Sequence, residues 1–150
     1  MALKPGRLIV SDEIGFFMTD VAERGGIALF STVGSGEALD QGAALVGYPI
    51  SSLNATAAGL LLNDVVSIDL TRQHLNQYKD EVQIGSKVQL MTRGWVTTNL
   101  VSGTITAGGT AYAGPYGYIT ATNVGSASPT VGKFLSKADE DGYARVSINL

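Results

Sequence analysis

The stretch "DGYARVSINL" (residues 141–150) decides the fold class, because its side chains alternate without a break. Ala144, Val146, Ile148 and Leu150 fall on one side, and Tyr143, Arg145, Ser147 and Asn149 on the other, the period of a half-buried β-strand. Asp141-Gly142 stands in front of it, and glycine supplies the positive φ that a tight hairpin turn needs. The strand is expected to close a sheet, with Arg145, Ser147 and Asn149 facing solvent or a sister subunit. On that reading, removing the last four residues unfolds the domain before it touches any site.

Working outward, the same device recurs. "GSKVQLMTRGWVTT" (residues 85–98) carries Val88 and Leu90, a turn expected at Arg93-Gly94, and then Trp95-Val96. "GGTAYAGPYGYIT" (residues 108–120) carries Ala111 and Ala113, a turn through Pro115 to Gly117, and then Tyr118-Ile119. Strand, glycine turn, aromatic ring and strand repeat three times, which predicts three hairpins whose rings cap the end of a β-structure. Glycine at 19 of 150 residues, close to twice the usual share, fits many turns better than many helices. The fold class is therefore mainly β, a small β-barrel or sandwich of hairpins with an extended N-terminal arm.

Earlier in the chain, "NDVVSIDL" (residues 63–70) alternates as a strand, and Ala44 to Val46 reads as a short one. "GFFM" (15–18) and "GIALFSTV" (26–33) are apolar and β-prone. The polar stretch 71–82 suits a short helix or a long connection. Residues 1–17 hold Pro5-Gly6 and four charged side chains around Leu8-Ile9-Val10, and read as the arm; residues 18–150 read as one β-rich domain.

Composition narrows the function. The chain is 45% hydrophobic and 15% charged, against roughly 25% charged for an average globular protein. A surface covered by Gly, Ser, Thr, Ala and Asn suits contact with other protein. A net charge of −3 with scattered basic residues argues against nucleic acid. Neither a signal peptide nor a span approaching ~20 apolar residues is legible, so the chain is expected to be soluble, made in the cytoplasm and free of membrane.

The single histidine, His74, has no partner set around it, and there is no cysteine. "GSGEALDQG" (34–42) lacks the Lys-Ser/Thr of a phosphate loop. "ADEDG" (138–142) lacks calcium-loop spacing and reads as a solvated turn. No nucleophile with its base and no cofactor fingerprint is present, so no enzyme activity, no cofactor and no metal is expected.

Residues 58–150 resemble the capsid decoration proteins of tailed bacteriophages, also called cement or head-stabilising proteins. The resemblance rests on "GLLLNDVVSIDLTRQHLNQYKDEVQIGSKVQLMTRGWVTTN", the Gly-aromatic hairpins, and the ending "TVGKFLSKADEDGYARVSINL". It implies a small β-domain that assembles as a homotrimer on the outer surface of the virion capsid, against the major capsid protein, with no catalytic residues. Leu8, Ile9, Val10, Phe16 and Phe17 are the expected capsid contacts, having few apolar companions in their segment. Trp95, Tyr118 and Tyr143 are the expected trimer contacts or barrel caps. The rival readings are another virion part, a tail or head-fibre base, and a carbohydrate-binding adhesin module using the tyrosines.

Overall fold

The computed structural model describes residues 3–31, 44–62, 81–82, 84–85, 87–123 and 127–150. The expected strand within residues 63–70, His74 with the polar stretch up to residue 80, and the glycine-rich loop 34–42 lie outside them.

The described chain is mainly β. Its strands are β1 (Leu8–Met18), β2 (Ala22–Glu23), β3 (Ile27–Phe30), β4 (Ala44–Gly47), β5 (Ala57–Leu61), β6 (Glu81–Val82) and β7 (Lys87–Thr98). They continue with β8 (Val101–Ser102), β9 (Thr110–Ala113), β10 (Ile119–Thr120), β11 (Thr130–Phe134) and β12 (Ala144–Asn149), and a 3-10 turn spans Pro115–Gly117. One sheet runs β1-β4-β3-β5-β7-β12-β11-β9-β10-β8, and β2 pairs with β6 separately.

The long strand β7 organises this sheet. Its residues 87–95 pair with β1 along one edge, while the opposite edge takes β5 at Leu90 and Met91 and β12 from Arg93 to Thr98. Because β1 also pairs with β4, the order β1-β4-β3-β5-β7 returns to β1 and closes a ring of five strands. The remaining strands form a wing that leaves β7 through β12.

Two cores follow from this branching. The ring encloses Phe16, Met18, Ala28, Val46, Leu61, Val88 and Leu90, drawn from each of its five strands. The wing packs Val96, Ala111, Val131, Phe134, Val146 and Ile148 against Ile27, Leu29, Leu60 and Leu62 on the far side of β3 and β5. Strands β3 and β5 therefore have both faces covered, which is why "IALF" and "AAGLL" are apolar runs without alternation. Ala58 is skipped in the pairing of β5 with β3, a bulge that shifts which residues of β5 face which core.

A second bulge does the same for β7. Thr92 is skipped opposite Ser11 and Asp12, so Leu90 faces the ring, whereas Met91 and, beyond the bulge, Val96 face the second core. The Thr92 hydroxyl fastens the irregularity, lying 3.2 Å from the Ser11 carbonyl oxygen and 2.9 Å from its hydroxyl.

Two of the three expected hairpins exist: β9 with β10, and β11 with β12. The third does not, because Arg93-Gly94 lies inside the unbroken strand β7. Gly94 does adopt a positive φ of 141°, but a Cβ there would run into the Leu8 carbonyl, so the glycine permits a close approach of β1 where the sequence suggested a turn.

Tyr48 links the two halves. Its half-buried ring abuts Gly117, and its enclosed hydroxyl donates to the Glu23 carbonyl (2.7 Å) and accepts from the Gly26 N–H (3.0 Å). Burial pushes the phenol far above its ordinary range; the Gly26 N–H opposes that shift and the Glu23 charge adds to it.

Candidate docking face

The terminal strand shows how a face comes to be left for a partner. Along β12, Ala144, Val146 and Ile148 are buried and Arg145 and Asn149 are exposed, as the alternation predicts; Leu150, which the alternation assigns to the buried side, lies just past the strand and is exposed instead. Residues directly opposite each other in paired strands share a face. The register therefore aligns Leu8, Trp95, Ser147, Lys133 and Thr110 in one row across β1, β7, β12, β11 and β9. The adjoining row pairs Thr97 with Arg145, whose carbonyl accepts from the Leu135 N–H (2.7 Å). The inward row between them, Val96, Val146 and Phe134, is fully buried.

Cations lie over rings on this face. The Arg145 guanidinium carbon is 4.2 Å from the Trp95 ring centre, and Lys4 Nζ is 4.3 Å from that of Tyr143. Such contacts contribute about 0.5–1 kcal/mol each at exposed sites. Lys4 is held by its own backbone N–H, which donates to the Thr97 carbonyl (2.9 Å), and by the neighbouring Leu3, which is buried in the second core. An open cleft of about 420 Å³ lies between Thr97, Leu135, Lys137, Tyr143 and Arg145.

Asp139 also lines the cleft. Its Oδ1 accepts from the N–H groups of Asp141 (3.0 Å) and Tyr143 (2.8 Å), so this carboxylate caps the hairpin turn in which Gly142 takes φ 83°. Among the described residues, no group of three or more His, Cys, Asp or Glu side chains is placed to hold a metal, and no helix is long and apolar enough to cross a membrane.

Next to this face, the first half of β1 is uncovered on both sides. Leu8 is 50% exposed, Val10 62% and Ile14 72%, and Ile9 is exposed as well. The edge of β1 away from β7 pairs only from Phe16 to Met18, with β4, so residues 8–15 have a free edge among the described residues.

The residues singled out from sequence thus divide. Leu8, Ile9 and Val10 stand together at the surface, whereas Phe16 is buried in the ring, edge-on to Phe30 at 5.6 Å, and Phe17 is half-buried. Trp95 and Tyr143 share the outer face of β7 and β12. Tyr118 sits apart, in the β9–β10 turn, where its N–H donates to the Pro115 carbonyl (3.2 Å). Sequence reasoning missed Ile14, Lys133 and Lys4. Ile14 could have been found as an apolar residue between charged Asp12-Glu13 and Gly15; the lysines join the face only through register and packing.

Compared with known families, residues 10–149 match the model of a phage cement family described as structural cement protein (E217 gp24/Pam3 gp6). No curated protein matches the chain.

Proposed function

The chain belongs to the family of structural cement proteins of bacteriophages, and from that premise we propose that it attaches to the outer surface of the capsid as a homotrimer, with the exposed half of β1 as its principal contact. Family membership makes it a structural, capsid-stabilising component of the virion and suggests a non-enzymatic role. The observation that carries the attachment reading is the run Leu8, Ile9 and Val10, exposed on a strand whose edge is free among the described residues. A strand edge of this kind offers unpaired backbone groups to a partner strand, and apolar side chains beside it reward the docking.

Stabilisation then follows from linkage. A ligand that binds the assembled shell but not its dissociated subunits shifts the equilibrium toward the shell. Three copies joined in one trimer would engage several capsid subunits at once, so modest contacts combine through effective concentration. A weakly charged surface rich in Gly, Ser, Thr and Ala suits contact with protein subunits while permitting the unattached protein to stay soluble.

Size-exclusion chromatography with light scattering tests the oligomer: a mass three times that of the chain is expected, and a monomer contradicts it. Point changes suit the attachment test better than removal of residues 1–15, because that segment includes the buried Leu3 and much of the ladder with β7.

A further inference from the structure

We infer that the outer face of β7, β12 and β11 is a second docking surface, and that its occupant is a carboxylate-rich extended protein segment. The charge distribution carries the inference. The whole chain has a net charge of −3, yet Lys4, Arg93, Lys133, Lys137 and Arg145, half of its ten basic residues, lie on this face or at its rim. Arg93 pairs with Asn149 in register and so shares the outward side with Trp95. Of the described acids near it, Asp12 and Glu13 lie along β1 opposite Met91 and Leu90, Asp139 is committed by Oδ1 to its own turn, and Glu140 and Asp141 sit in that turn at the end of the hairpin. Among the described residues the face therefore gathers a larger share of the chain's cations than of its acids.

Its shape and chemistry select the class of ligand. The cleft beside Tyr143 and Arg145 is open and runs alongside a row of exposed side chains, which accommodates an extended chain better than a compact small molecule. Arg145 and Lys4 rest on aromatic rings, so their stems are ordered before a partner arrives while their N–H groups can still turn to a carboxylate. Trp, Tyr and Arg are the residues that most often dominate binding energy at interfaces. The inference deepens the capsid reading by giving the chemistry of the partner, and rests on that reading for the partner's origin.

Trp95 is the only tryptophan, and it lies under Arg145, so its fluorescence reports the site directly. The full chain is titrated at low salt with a twelve-residue peptide of alternating Glu and Ser, with the same peptide carrying Gln for Glu, and with a single-stranded DNA oligonucleotide of equal charge. A saturable change with the Glu peptide is expected, absent with the Gln peptide and weaker with DNA. Lys133→Ala with Lys137→Ala should weaken it by about tenfold while leaving the Trp95–Arg145 pair in place. A silent Glu peptide, or an equal response to the Gln peptide, overturns the inference; DNA binding as tightly as the peptide also overturns it, in favour of a general polyanion surface. Sedimentation with undecorated capsid shells separates the two readings. A protein that binds the peptide but not shells refutes capsid attachment and leaves this surface standing, and one that binds shells but not the peptide refutes this surface alone.

Discussion

Strands β5 and β12 both contribute to the second core, but they are built for different purposes. β5 lies between two cores: Leu61 faces the ring and Leu60 the wing, and neither has any exposed surface. β12 covers one core with Ala144, Val146 and Ile148 and turns Arg145, Ser147 and Asn149 outward. The first kind of strand holds the molecule together and can meet nothing else. The second is equally necessary to packing, yet every other side chain remains available to a partner. Stability is thus concentrated in the shared strands, and attachment is proposed for the outward rows of the wing and the uncovered half of β1.

The largest effect should come from the shared strands. Leu60→Ala removes a fully buried side chain between β3, β7 and the wing, and is expected to cost about 2–5 kcal/mol in urea unfolding. Leu8→Ala, on the uncovered half of β1, should stay within about 0.5 kcal/mol. Equal losses would erase the distinction between the two regions.

Gly94→Ala should rank next, at about 2 kcal/mol, because it forces a side chain into a φ of 141° and against the Leu8 carbonyl. Its unfolding should remain a single transition if β7 joins the ring and the wing into one cooperative unit; two transitions would show that the cores unfold separately.

Tyr48→Phe leaves the Glu23 carbonyl and the Gly26 N–H without the phenol, and should cost about 1–2 kcal/mol near neutral pH. The pH dependence has a definite sign. Burial raises the folded-state pKa above the unfolded value of about 10, so folding favours the protonated phenol. The associated stability is fully present below about pH 10 and falls as pH rises beyond it, by up to about 1.4 kcal/mol per unit, and Tyr48→Phe should lack that decline. Parallel curves for the two proteins above pH 10 would contradict an enclosed hydroxyl.

The smallest effect on stability belongs to the outward face. Arg145→Ala removes the contact with Trp95 and should cost no more than about 1 kcal/mol in thermal or urea unfolding. A loss comparable to that of Leu60→Ala would make the face part of the scaffold.

The same contrast explains how much could be read beforehand. β12 was legible in all but Leu150, the residue just past it, because a one-sided strand writes its exposure into its alternation, and Asp141-Gly142 marked its turn. β3 announced itself only as an apolar run, and β5 was missed because its Ala- and Gly-rich start reads as loop; burial on both faces removes the alternation that would show which side faces which core. Gly94 misled because a positive φ serves a bulged approach as well as a hairpin, and the Leu8 carbonyl that requires it lies 86 positions earlier in the chain. Of the candidate site, Leu8, Ile9 and Val10 stood out because few apolar residues accompany them in their segment. The pairing of Trp95 with Arg145 depends on the register of β7 against β12, which no local pattern encodes.

Attachment to the capsid through the uncovered half of β1 is tested by sedimenting undecorated shells with the Leu8→Asp/Val10→Asp variant. Wild-type melting and oligomeric mass with attachment lost are expected; attachment equal to that of the wild type would contradict that contact.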